Sequence, residues 1–299
     1  MILGTTLHAQ SEKGKAPRPI IDSFYEVIDM IPNGSIQGLL SLLNPLEMIS
    51  RRKAEEYQLL KCPCIYNRRL NAEIAKAVQN GQKSRTKECG EYQTVLDLAR
   101  EDEEYGRKAT VPELVDQVKT FLFAGHDTSA STISWVFYYL SIYPEIHVKM
   151  RAEHDAVLGP FTDTDTLAEK LSSDPRLLAK LDYTLAVIRE VLRLRPVTDG
   201  VREGPPGYAL RTAGGIEFDV SELMICTQHQ ALHTNEPVWG SSASRFDPER
   251  FLGPKSIPVG YMPFSTRPRD CIGRNLAYLE ARPKSAIVDN RGNLHLHSR

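Results

Sequence analysis

The sequence predicts a mainly α fold with a small β portion in the C-terminal half. Apolar residues recur at three- and four-residue spacing over long stretches, the longest from Thr110 to about Tyr143. A second periodic stretch, Leu181–Leu194, sets Leu181, Leu185, Ile188 and Leu192 on one helical face and stops before Pro196. From Thr198 the pattern changes to short runs separated by Gly and Pro, which reads as small strands. At 299 residues the chain can bury a substantial core, and 1–299 is read as one domain.

The elements follow in order. Residues 9–18 are polar and form a lead-in. Pro19–Ile31 carries a stripe of Ile21, Phe24, Val27, Ile28 and Ile31, ended by Pro32-Asn-Gly34. Gln37–Leu43 is a short apolar helix or turn. Asn44 caps a helix that has Pro45 in its first turn and Glu47 three residues on, and that runs to about Lys61. Helical pieces follow over Ile65–Val78 and Tyr92–Ala99. Thr110-Val-Pro-Glu113 is a capping box that opens the long central helix, 111–143. Pro144 begins a helix to Val157, closed by Gly159-Pro160, and Thr162–Leu171 forms another. Strands are expected at Val201–Glu203, Ile216–Val220 and Leu223–Cys226, then a compact loop at Phe246–Phe251. The last helix is Arg274–Arg282, ended by Pro283.

Composition excludes several classes. Net charge is -1, which gives no electrostatic case for binding nucleic acid. Five cysteines in no regular framework point to a reducing compartment. No run of ~20 apolar residues occurs, so no transmembrane helix is expected, and the N-terminus is too polar beyond Leu7 for a signal or anchor. There is no internal repeat. Lys83-Ser84 lacks the glycine a phosphate loop needs, and Cys62-Pro-Cys64 has no second pair at zinc-site spacing.

Four stretches carry candidate chemistry. Within the central helix, Phe123-Ala-Gly-His-Asp-Thr-Ser-Ala130 is a polar patch in apolar surroundings. Asp127 and Thr128 beside Gly125 cost helix stability, an inconsistency of the kind found at working sites. A kinked helix with solvent-facing Asp and Thr is the alternative. Glu190 and Arg193 stand one helical turn apart and read alone as a solvated ion pair. His229 and His233 share a helical face and could hold a metal if a third ligand existed. Cys271 lies in a turn-rich, arginine-rich loop just ahead of a helix. Unpaired N–H groups and the positive dipole end favour a thiolate there, although a buried, inert cysteine is the simpler reading.

Phe264, Arg269, Cys271 and Gly273 stand at the intervals of the haem-binding loop of the cytochrome P450 family, the haem-thiolate monooxygenases. Ala124-Gly-His-Asp-Thr128 resembles that family's oxygen-activating helix segment. Glu190-Val-Leu-Arg193 resembles its Glu-x-x-Arg helix, and Phe246–Phe251 the segment that supplies a second arginine, here Arg250. The order matches too, and the sequence is identified as a member of the microsomal branch, with a partial cytochrome P450 fold. The resemblance implies haem b (iron protoporphyrin IX) with Cys271 as its axial thiolate, in a loop-and-helix unit at 264–282 that includes Phe264 and Gly273. It implies Arg269 and Arg202 as propionate partners, Gly125 as room for oxygen, and Asp127 and Thr128 as a proton relay. It gives Glu190, Arg193 and Arg250 the role of locking the cysteine loop to the core. The implied reaction is monooxygenation of a small apolar organic substrate. Electrons would come from NADPH through a flavoprotein reductase, at the endoplasmic reticulum membrane.

Three departures from the family pattern are expected to matter. Arg267 replaces the loop glycine, the chain looks N-terminally truncated, and its tail from Lys284 is altered. Two rivals therefore stand beside the monooxygenase: a non-catalytic remnant that binds no haem, and a metal-dependent hydrolase using His229 and His233.

Overall fold

A computed structural model describes residues 70–76, 110–160, 163–253, 257–266 and 268–290, with side chains through Ala286. The expected helices at Pro19–Ile31, Asn44–Lys61 and Tyr92–Ala99, the Gln37–Leu43 segment, the Cys62-Pro-Cys64 pair, Arg267 and the tail from 291 lie outside these residues. The chain divides into two compact units, Met1–Leu122 and Phe123–Arg299. In the first, 70–76 is helical, within the expected 65–78, and Leu70, Ile74, Leu114, Val115 and Val118 are buried.

The long central helix is α1, Val111–Ile142. Its start is the expected capping box, with the Thr110 N–H donating to Glu113 Oε2 at 2.8 Å. It is α-helical without a break through the polar patch. Hydroxyls there are satisfied within the helix: Thr128 Oγ1 donates to the Ala124 carbonyl at 2.6 Å and Thr132 Oγ1 to the Thr128 carbonyl at 2.8 Å. Helices α2 (Pro144–Leu158) and α3 (Thr164–Ser173) follow, the latter capped by Asp163, which accepts from the Thr166 N–H. A 3-10 turn at Pro175–Lys180 leads into α4, Asp182–Leu194.

In the second unit α4 is the centre of the core. Val187, Ile188, Val191, Leu192 and Leu194 pack with Val136, Tyr139 and Leu140 of α1 and with Ile146 and Met150 of α2. The one-face stripe read from the sequence understates this, because Ala186, Glu190 and Arg193 are buried as well. The start of α4 has no cap of its own. Glu153 of α2 supplies one, accepting from the Tyr183 N–H at 2.6 Å and from the Thr184 N–H at 2.8 Å.

The β portion is two antiparallel ladders. β1 (Gly200–Glu203) pairs with β4 (Met224–Thr227), with Arg202 opposite Ile225, and β2 (Ala209–Arg211) pairs with β3 (Glu217–Asp219). Gly204 ends β1 where a Cβ would lie 1.8 Å from the Val220 carbonyl oxygen, so only glycine lets the two backbones meet. Short helices α5 (His229–His233) and α6 (Glu236–Trp239) and a 3-10 turn at Pro248–Phe251 follow.

The last helix, α7, is Arg274–Asn290. Pro283 does not end it, contrary to the expectation from sequence. A mid-helix proline forfeits one backbone bond and crowds the preceding turn. Here Ala281 is buried against the α4 core, and Ala286 against Leu158, Leu167 and Leu181. Tertiary burial on both sides of the proline outweighs the local preference.

Candidate functional site: the Cys271 loop and its supports

Cys271 is exposed, three residues before the first residue of α7. Its N–H donates to the Phe264 carbonyl at 2.9 Å, and the Arg274 N–H donates to the Cys271 carbonyl at 3.3 Å. These two bonds fold the loop so that Cys271 stands just ahead of the N-terminal end of α7. Phe264 anchors the near side: its ring lies edge-on to Tyr278 of α7 at 5.1 Å and packs against the core. At Gly273 a Cβ would lie 3.7 Å from Cys271 Sγ, an ordinary contact. Gly273 therefore is not demanded by space in the fold itself. Ser265, directly after Phe264, has φ of 63°, a left-handed conformation unusual for a non-glycine residue.

The structure brings Arg202 to this loop. It is exposed on β1, and its Nη2 reaches Ser265 Oγ at 3.4 Å while Nη1 donates to the Val201 carbonyl. Arg269 is exposed within the loop, its N–H bonded to the Thr266 carbonyl at 3.2 Å. Gly125 and Asp127 are exposed on α1, and Thr128 is half-buried. A Cβ at Gly125 would meet nothing within 4 Å, so that turn of the helix faces open space.

Behind the loop lies a charged network sealed from solvent. Glu190 and Arg193 are both fully buried and form a two-pronged pair, at 2.7 Å to Oε2 and 2.8 Å to Oε1. Arg193 also donates to the carbonyls of His233, Ala243 and Arg245 at 2.7, 2.5 and 2.9 Å. Every guanidinium donor is thus used. Its planar face lies 4.9 Å from the Trp239 ring. Glu190 accepts the Asp247 N–H at 2.8 Å, and Arg250 Nε stands 3.6 Å from its Oε1. Burial pushes the Glu190 carboxyl above the usual carboxylate range, against the opposing pull of Arg193. Arg250 holds the peptide further on, its Nη2 donating to the Ser242 carbonyl and hydroxyl at 2.6 Å each.

The link from this network to the cysteine loop differs from the expected one. Bonds from Glu190, Arg193 and Arg250 run to α5 and the 242–247 segment, and the loop is tied in by two other residues. The Tyr261 hydroxyl donates to the Arg189 carbonyl at 3.0 Å, and the Met262 N–H donates to His233 Nε2 at 3.0 Å. His233 enters the sequence reading only as a candidate metal ligand. The ring nitrogens of both histidines face polar partners: His229 Nδ1 the Thr198 carbonyl and Nε2 Thr227 Oγ1, and His233 the Arg193 carbonyl and Met262. The rings stack 6.0 Å apart, and no group of three metal-ligating side chains occurs among the described residues. The hydrolase reading is set aside. Tyr261 carried no sequence signal, because an aromatic residue with a buried hydroxyl looks the same as one in any core.

The sequence model of the cytochrome P450 family matches residues 22–282, so the chain belongs to that family. It is 36% identical to the cytochrome P450 monooxygenase polC of Polytolypa hystricis over 60% of this chain and 33% of that one. It is 32% identical to the bifunctional cytochrome P450/NADPH–P450 reductase ALT2 of Alternaria alternata, over 72% of this chain and 19% of that one. A crystal structure of a cytochrome P450 shares its fold, with a TM-score of 0.68 at 24% identity over 97% of this chain and 58% of that one. The chain spans between a third and just over half the length of the first curated relatives it matches.

Family membership implies haem, and the residues of the second unit fit it. An exposed thiol just ahead of a helix is a donor that would hold haem iron. The Arg202 and Arg269 guanidiniums suit carboxylates. Gly125 keeps side-chain bulk off its turn of α1.

Proposed function

We propose that the chain is the haem-thiolate part of a monooxygenase that acts on a small apolar organic substrate. The observation that carries this reading is Cys271, exposed at the start of α7 in a loop pinned by its own N–H to Phe264. Haem, when bound there, supplies reductive activation of dioxygen, so that one oxygen atom enters the substrate and the other becomes water. Cys271 would hold the iron as thiolate. Arg202 and Arg269 would each pair with one propionate by charge-assisted hydrogen bonds, Arg202 swinging from its contact with Ser265. On α1, Thr128 would turn its hydroxyl from the Ala124 carbonyl toward the reacting side and pass a proton received from the Asp127 carboxyl. Gly125 would leave space for oxygen beside them.

Electrons would come from NADPH through a flavoprotein reductase. The fusion of a cytochrome P450 with an NADPH–P450 reductase in one relative supports that source. By the same family reading we place the chain at the endoplasmic reticulum membrane. Among the described residues no helix is long and apolar enough to cross a membrane. Cell fractionation checks it.

The test is the absorption spectrum of the chain supplied with haem, reduced, and exposed to carbon monoxide. A red-shifted thiolate-type band is expected, and Cys271→Ser should abolish it. No such band in the unaltered chain would overturn the proposal and leave a family member without the cofactor.

A further inference from the structure

His233 is 0% exposed and is flanked on every side by groups that fix its ring. Tyr261 lies 5.5 Å away, Trp239 stands edge-on at 6.4 Å, and His229 stacks on the third side. The hydrogen bonds determine its tautomer. The Met262 N–H can only donate, so Nε2 accepts, and the ring proton sits on Nδ1, 3.1 Å from the Arg193 carbonyl. Arg193 in turn donates through Nη1 to the His233 carbonyl at 2.7 Å. The two residues clasp each other, each side chain holding the other's backbone. The clasp leaves one bond over, and that bond goes to the lead-in of the cysteine loop. Met262 continues the chain of contacts: its carbonyl accepts the Ser265 N–H at 3.0 Å, and the neighbouring Phe264 carbonyl accepts the Cys271 N–H at 2.9 Å.

We propose that His233, as the neutral Nδ1–H tautomer, is a positioning residue for Cys271, coupling the Glu190–Arg193 pair to the loop that presents the thiol. It touches neither the sulfur nor any reacting atom. Its Nε2 sets where Met262 sits, and Met262 sets the turn in which Ser265 adopts its left-handed φ. The charged and titratable groups facing the ring are Arg193 of α4, His229 of α5 and Tyr261 of the loop lead-in. A second ring proton would set donor against donor at Met262 and remove one of the two hydrogen bonds that tie the loop lead-in to α4 and α5. The inference rests on the reading of Cys271 as the functional thiol, while the tie itself is a property of the chain without haem.

The two bonds can be separated by substitution. In His233→Asn the amide nitrogen falls where Nδ1 stands and keeps the bond to Arg193, with nothing to reach Met262. In His233→Gln the amide oxygen falls where Nε2 stands and can accept from Met262. Hydrogen exchange, read by mass spectrometry on the full haem-free chain, gives the first measurement. His233→Asn should speed exchange across 261–271 by roughly tenfold, as expected when a buried N–H loses its acceptor, and leave α4 as it was. His233→Gln should restore protection. In the haem-loaded, reduced, carbon monoxide-bound chain, His233→Asn should lose thiolate-type band that His233→Gln retains. Unchanged exchange over 261–271 in His233→Asn, or an equal rise over α4, would overturn the proposal and make His233 an ordinary core residue. If the unaltered chain shows no thiolate band, the functional reading fails and the exchange result still decides the tie.

Discussion

Arg193, fully buried, uses all five of its donors on five acceptors. That makes its identity, and not only its charge, necessary. Arg193→Ala leaves the buried Glu190 with only the Asp247 N–H and the more distant Arg250 as partners, and should destabilise the chain by about 3–5 kcal/mol. Arg193→Lys keeps the charge but has three donors for five acceptors, so its denaturation midpoint should fall between those of the two other forms. His233 supplies a pH signature. Burial, the largest cause, holds its imidazole down to about 4, from 6.5 in an unfolded chain. Between those values the unfolded state binds more protons, so stability is full above 6.5 and drains away as pH falls through about 4. The shift corresponds to roughly 3 kcal/mol. Denaturant midpoints across that window should slope upward with pH, and the slope should flatten in His233→Gln.

At the scale of elements, α4 depends on a cap lent by another helix. Glu153→Ala removes the acceptor for the Tyr183 and Thr184 N–H groups. It should cost about 1–2 kcal/mol, read as a lower thermal midpoint and faster exchange in the first turn of α4. A sequence reading finds caps only on the same stretch of chain, so this one was invisible, whereas Thr110 with Glu113 was legible because both partners sit within four residues. The same limit explains Pro283. Local propensity says stop, and the burial of Ala281 and Ala286 says continue. Strand β2 was missed because Ala209–Arg211 is exposed throughout and offers no apolar alternation to read.

For the whole molecule, the site is an agreement among distant stretches, and ligand binding should report on all of them together. Haem that binds the folded chain only should raise its apparent stability by mass action, by about 2.7 kcal/mol at a hundredfold excess over Kd. A thermal shift titration with haem checks this, and Cys271→Ser should remove most of the gain. The sequence alone determined the helical class, the course of the central helix, the candidate residues and their order along the chain. Each of those is written in local spacing, whether of apolar residues, caps or a loop signature. Tertiary structure decided which groups are sealed from water and what joins them. It buried Glu190 and Arg193, which alone read as a solvated pair, and it turned His233 from a candidate ligand into a hinge pin between Arg193 and Met262. It also carried Arg202 across to Ser265. The reason is physical: burial and long-range hydrogen bonds depend on what the rest of the chain packs against a residue, and no stretch of neighbours encodes that.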